Sequence, residues 1–501
     1  MNCLKYHIKN VWVVPGDGRE PVKEEVLVSC DGKILATGAS FIGCGEVLDG
    51  KKKMLSPGFI DVHSHSDISV LAYPGGFSKV SQGITTEITG NCGLSAFPIA
   101  RENREHLEEL YANYNVPFTW DDFTSYREKL SAVFPDIIPL CGHNTLRAAV
   151  AGYEKQRLSS SELNRMKEYL DEALCAGSPG LSTGLLYVPG KFASEGELIE
   201  LMKVLAARKG IYATHLRSEG DGLLEALEST LNCAALAGLK KVQISHFKTA
   251  GVTNWSKLDT AIEMIQRFRG QGIRVTLDRY PYTESMTQLS VILPGIWADM
   301  SDAAIQKKLQ NNEEQKELYR LLAENKKTDY WQNVRLASTG EGKYKKYCGK
   351  MFLEISSDPA ALAVELLAKD ATGTCAAFAG MSRENLARIM ALDFCMPGSD
   401  GNAFPQGYAA THPRSFGTVP RFLRLLLDNG VPPWKAVRRS TGLPAETFNL
   451  QDRGLIREGL RADLVLFDPD ALTDKADFAS PCQPAEGICW TMCRGKIVYR
   501  P

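Results

Sequence analysis

The chain reads as an α/β protein: a barrel of repeated β/α units in the middle, with β-rich ends. Three observations predict this. From Pro57 to Gly442, short apolar strands alternate with amphipathic helical stretches. Residues 1–55 and 443–501 instead show short strands separated by turn residues. Residues 284–350 break the β/α rhythm with a charged, mostly helical stretch. Periodicity favours a barrel over an open sheet without deciding between them.

The elements follow in order. Val11–Val14 and Glu25–Val28 are the first apolar runs, with turn chemistry at Gly16-Asp17-Gly18 and Asp31-Gly32-Lys33. Phe59–His63, Thr85–Thr89 and Ile137–Cys141 read as the first barrel strands. Gly180–Thr183, Ile211–Thr214, Val242–Ser245 and Val275–Asp278 continue the series, and Phe394–Pro397 is a further short apolar segment. Ser161–Ala176 and Leu223–Ala237 are helical between them. Within 284–350, Gln306–Lys326 is the clearest helix, and the whole stretch reads as an insertion on a barrel loop, a lid over one end. Ala462–Phe467 is a buried-strand run, and Arg494–Tyr499 a closing hairpin. The organisation expected is one small sheet domain built from 1–55 and 443–501, around a barrel spanning 56–442.

Composition narrows the function classes. In 501 residues, 44% are hydrophobic and 23% charged, with a net charge of −1. That balance, with no basic stripe, argues against nucleic acid. No apolar run approaches the roughly 18–20 residues that span a membrane, and the first residues lack the layout of a secretory signal. The thirteen cysteines have no framework spacing and no CxxC pair. They read as reduced thiols of a cytoplasmic chain.

The sharpest motif is His63-Ser64-His65, directly after an apolar strand. Residues two apart on an extended segment point to one side, so two imidazoles can converge on one ion. Asp61 supplies an acid to orient a ligand from behind. Of the eight histidines, His215 ends the strand Ile211–Thr214 and His246 ends Val242–Ser245. Asp400 follows Phe394–Pro397 in Gly398-Ser399-Asp400-Gly401. These residues therefore lie at the carboxyl ends of different strands, the rim where barrel enzymes assemble active sites.

Pro57-Gly58-Phe59-Ile60-Asp61-Val62-His63-Ser64-His65, with the later strand-end His, His and Asp, resembles the amidohydrolase superfamily. Further motifs are similar to its N-acyl-D-amino-acid deacylase (D-aminoacylase) branch. They are Gly83-Ile84-Thr85-Thr86, Gly90-Asn91-Cys92-Gly93, Gly142–Arg147, Leu181-Ser182-Thr183-Gly184 with Tyr187, and Tyr280-Pro281-Tyr282. Gly398–Gly401, His412-Pro413-Arg414 and Arg457–Asp463 complete the series, in order along the chain.

The resemblance implies a (β/α)8 TIM-type barrel, a composite β-sandwich domain and an insertion after Tyr282. It implies one tightly held zinc at Cys92, His215 and His246, and a second, weaker metal position at His63, His65, Cys92 and Asp400. Asp400 would be general base and then general acid. The substrate implied is a small-molecule N-acyl-D-amino acid, its carboxylate met by Lys248, Tyr280 and Arg414, with Tyr187 on the carbonyl oxygen. A cyclic amidase of the hydantoinase or dihydroorotase type is the alternative on the same barrel, but such enzymes typically carry a bridging lysine where this chain offers Cys92. Two segments depart from the branch pattern, Thr283–Met286 and Asn402–Tyr408. Both would border the pocket for the substrate's side chain.

Overall fold

The computed structural model describes residues 3–41, 45–408 and 411–501. Strands Phe59–Asp61, Ile84–Thr89, Asp136–Pro139 (continued as Cys141–Gly142), Gly180–Gly184, Ile211–His215, Lys241–Ile244, Arg274–Arg279 and Cys395–Pro397 form a parallel barrel. Leu140 N donates to Thr89 O at 2.9 Å across the break in the third strand. Val62 N donates to Pro397 O at 3.2 Å, closing the eighth strand on the first. Ile84–Thr89 is buried at every position, as a strand covered on both faces must be. Several of the intervening helices bury one stripe each. In Ser160–Cys175 that stripe is Met166, Leu170 and Ala173, and the helix begins at a capping box of Ser159 with Glu162.

Ile60, Val62, Ile88, Leu140, Ile211, Ala213 and Met396 pack with Leu443, Ala445 and Phe448 in one cluster. The chain thus stays with the barrel for several residues beyond 442, where the sequence suggested it left. The termini meet in a sheet of their own. Met54–Pro57 pairs antiparallel with Leu464–Phe467, which pairs with Ile488–Cys493, and Leu4–Val13 pairs with both Met54–Pro57 and Val22–Ser29. The final hairpin is Ile488–Cys493 with Lys496–Tyr499, turning at Arg494-Gly495, so its first strand precedes the predicted segment. Pro57 lies two residues before Phe59, and this sheet anchors the start of the first barrel strand.

The inserted region has an antiparallel sheet of Glu284–Gln288, Cys375–Ala379 and Val334–Ser338. Its core includes Leu289, Trp297, Leu318, Leu322, Trp331, Phe352 and Leu366. Because Cys375–Ala379 is the middle strand, this layer extends past 350, where the charged sequence pattern ended. The predicted helix Gln306–Lys326 is two, Asp302–Lys308 and Asn312–Asn325, broken where Asn311 caps the second. Among the described residues no helix is long and apolar enough to cross a membrane, and every cysteine is unpaired.

Candidate metal centre and active site

Three residues of the rim have left-handed backbone although none is glycine: Cys92 (φ 51°), His246 (φ 34°) and Asp400 (φ 51°). Each such residue costs on the order of 1–2 kcal/mol. Their side chains converge. Cys92 Sγ lies 3.3 Å from His63 Nε2, 3.5 Å from His246 Nε2 and 3.8 Å from His215 Nδ1. Asp400 Oδ1 lies 2.9 Å from His65 Nε2 and 3.4 Å from His63 Nε2. Two overlapping donor sets result, Cys92 with His215 and His246, and Cys92 with His63, His65 and Asp400, each within 4.8 Å.

The donor chemistry fits zinc. A thiolate and imidazoles at tetrahedral reach of one point are its ordinary ligands. Burial opposes the charged thiol, but the facing His63 and His246 rings outweigh it and hold Cys92 well below the usual thiol range. Asp400 behaves likewise: burial is overcome by Arg414, His63 and His65, and its carboxyl is held well below the usual carboxylate range. Burial works against charge on His65 and His246 too. Asp400 and Cys92 pull His65 up to about 9, and Glu219 and Cys92 do the same for His246.

The supports come from several strands. Asp278 Oδ1 accepts from His246 N at 2.7 Å and lies 3.2 Å from His63 Nδ1, while its Oδ2 accepts from Gln243 Nε2 at 2.8 Å. A carboxylate on Nδ1 leaves Nε2 of His63 facing the centre. Asp61, expected to orient an imidazole, acts on backbone instead. It accepts from His63 N at 3.2 Å and Ser399 N at 2.8 Å, and its Oδ2 pairs with Lys79 Nζ at 3.0 Å. Lys79 is fully buried and also meets Glu87 Oε1 at 2.9 Å and Ser399 Oγ at 2.8 Å. The first two strands and the Asp400 loop are thereby tied beneath the site. Gly398 makes this possible, because a Cβ there would stand 2.6 Å from His63 Cβ and 2.7 Å from Asp278 Oδ1.

The residues expected to meet a carboxylate ring this centre, and two are engaged. Arg414 Nη1 donates to Asp400 Oδ2 at 2.7 Å and Nη2 to Met286 O at 3.3 Å. Lys248 Nζ donates to Glu219 Oε1 and lies 2.9 Å from His246 Nδ1. Tyr280 Oη is buried without a hydrogen-bond partner among the described residues. Burial would raise its phenol, but Lys248, Arg279 and Arg414 outweigh it and lower it. Tyr187 packs edge-on against His215 at 4.9 Å and bonds Thr287 Oγ1 at 3.1 Å. Met286 and Thr287 belong to the insertion strand Glu284–Gln288, which therefore forms one wall.

Sequence reasoning missed Glu219, Asp278 and Lys79. Nothing in Arg217-Ser218-Glu219-Gly220 separates that acid from a solvated loop charge. Asp278 does carry a signal, since it shares the strand-end position of the histidines. His143 is buried on Glu197 at 2.8 Å and packs there. In the loop after Gly401, Phe404 stacks on Tyr408 at 4.1 Å.

Comparison with known proteins agrees with this geometry. The amidohydrolase family model matches residues 46–323 and 359–499. The N-acyl-D-aspartate deacylase of Alcaligenes xylosoxydans xylosoxydans is 33% identical over 498 residues, covering 96% of this chain and 89% of the relative. The N-acyl-D-glutamate deacylase of Bordetella bronchiseptica, solved with zinc and a phosphonate mimic of the tetrahedral intermediate, superposes with a TM-score of 0.82. It is 30% identical, over 99% of this chain and 97% of that one. A D-aminoacylase structure that concerns a binuclear metal centre, with one-metal activation and second-metal attenuation, gives 0.81 at 30% identity over the same shares. The chain belongs to the amidohydrolase family, in the branch of the D-aminoacylases and N-acyl-D-amino-acid deacylases, and is a metal-dependent enzyme of that branch.

Proposed function

We propose that this enzyme hydrolyses the amide bond of N-acyl-D-amino acids, releasing a carboxylate and a free D-amino acid. The observation that carries the reading is Cys92 among His63, His215 and His246, with Asp400 at its edge and Arg414, Lys248 and Tyr280 around it. Cys92, His215 and His246 would hold one zinc. His63, His65, Cys92 and Asp400 would bound a second, weaker position. Zinc bound there supplies Lewis acidity, which makes water a nucleophile near neutral pH and polarises a carbonyl.

The remaining work falls to side chains. Asp400 accepts the proton of the attacking water and passes it to the departing nitrogen, which leaves poorly unless protonated. Arg414 and Lys248 exchange the internal carboxylates of Asp400 and Glu219 for that of the substrate, and Tyr280 Oη donates to it. An arginine fork suits a planar carboxylate. Tyr187 donates to the carbonyl oxygen. The D-configuration rests on the relatives' names. Those relatives, at 30–33% identity, are named for D-aspartate, D-glutamate or D-amino acids in general, so the substrate's side chain is left to experiment.

Zinc-loaded protein assayed with N-acetyl, N-formyl and N-succinyl derivatives of D- and L-amino acids, beside hydantoins, tests the proposal. Release of D-amino acids is expected. Activity confined to L-substrates or to cyclic amides overturns it.

A further inference from the structure

Glu219 stands behind both histidines of the Cys92 site. Each imidazole turns one nitrogen to Cys92, His246 through Nε2 at 3.5 Å and His215 through Nδ1 at 3.8 Å. The opposite nitrogens face one carboxylate. His246 Nδ1 lies 2.8 Å from Glu219 Oε1, and His215 Nε2 lies 3.7 Å from Oε2. His215 Nε2 is buried and has no hydrogen-bond partner among the described residues, Glu219 being the nearest acid. Ala250 N donates to Glu219 O at 2.7 Å, which fixes this acid against the loop after the sixth barrel strand. A single side chain thus reaches ligand-bearing residues from two strands, one oxygen for each.

We infer that Glu219 is the positioning residue of the zinc site and the holding point from which Lys248 is released to the substrate carboxylate. The inference rests on the proposed zinc site. A histidine that ligates a metal ordinarily donates its other ring N–H to a carboxylate, which fixes the ring and raises its basicity, and Glu219 Oε1 stands where that acceptor would be for His246 Nδ1. Lys248 Nζ already occupies the same Oε1 and sits 2.9 Å from that Nδ1. Glu219 Oε1 is thus the common acceptor of His246 Nδ1 and Lys248 Nζ. Lys248 is the flexible member, and it moves to a ligand carboxylate beside Tyr280 and Arg414. Without Glu219 the His246 imidazole loses its acceptor, His215 loses the carboxylate facing its buried nitrogen, and Lys248 loses its holding point.

The test is zinc affinity, measured by chelator competition on the full chain for the wild type, Glu219→Gln and Glu219→Asp, with KM and kcat alongside. Glu219→Gln keeps the shape but removes the charge, and zinc should bind roughly 10–100-fold more weakly. Glu219→Asp keeps the charge but is too short to span both imidazoles, and should lose affinity as well. At saturating zinc, KM of the glutamine variant should change more than kcat, a split that a merely structural role would not produce. Zinc affinities within twofold of wild type in both variants overturn the inference. If the glutamine variant does not fold, the aspartate variant decides by the same criterion. A wild-type chain that takes up no zinc overturns the zinc site and this inference together, whereas zinc-binding wild type with unaltered variants overturns this inference alone.

Discussion

Asp400 makes three close contacts at once, with His65, His63 and Arg414, and its backbone is held in a left-handed conformation to do so. That placement would separate its proposed proton-transfer role from tight metal binding, because Cys92, His215 and His246 form a set without it. Asp400→Asn should therefore lower kcat by about 10²–10⁴-fold while the purified protein retains its first zinc. Metal analysis beside steady-state kinetics checks both halves. Near-normal kcat, or loss of all zinc, would remove Asp400 from the role of base. At this scale the sequence was legible unevenly. The four histidines and Asp400 stood out because each ends a strand. Cys92 was visible only through the resemblance, since a buried thiol in a turn is ordinarily a small core residue. Glu219 was not visible at all. Its meaning depends on two imidazoles brought beside it from different strands.

The elements act by where their ends come to rest. The eighth barrel strand must pass close to His63 and Asp278, and Gly398 is the residue that permits it. Gly398→Ala should push that strand outward, destabilising the protein by roughly 1–3 kcal/mol and weakening zinc binding at least tenfold. Unfolding curves of the zinc-free protein and a chelator titration read the two effects separately. A second element carries a pH dependence. His106, on the helix Arg101–Leu110, lies against Tyr153 with ring centroids 3.8 Å apart and planes tilted by 39°, and burial lowers its pKa from 6.5 to about 4. A lowered folded-state value means the unfolded chain binds the proton first. The contribution is therefore complete above pH 6.5 and lost as the pH falls toward 4. His106→Phe keeps an aromatic ring against Tyr153 and removes the proton. Wild type should lose roughly 1 kcal/mol more than the variant between pH 7 and 4.5, the ring being only partly buried. Parallel acid limbs in the two denaturation series would refute this.

At the scale of the whole molecule, the two chain ends are joined by the ladder of Met54–Pro57 on Leu464–Phe467. Leu466 is 3% exposed, opposite Leu55 and Trp490. Leu466→Ala should cost about 2–5 kcal/mol of unfolding free energy and leave zinc affinity within a fewfold, because the barrel closes through its own Val62–Pro397 bond. A zinc affinity that falls with stability would instead show that the terminal sheet holds the site in shape. By itself the sequence determined the alternating β/α middle, the β-rich ends and the strand-end positions of the histidines and Asp400. These follow from local periodicity and from the direction a strand gives its side chains. Only the tertiary structure decided where the chain leaves the barrel after 442, how far the insertion runs past 350, and which carboxylates stand behind which imidazoles. Those depend on groupings of residues far apart in the chain: Phe448 in one core cluster with Ile60, Cys375–Ala379 paired with Glu284–Gln288, and Asp278 beside His63. No local pattern encodes such pairings. The candidate metal-ligand cluster was thus written in the sequence as positions along the chain, and its members came together only on barrel closure.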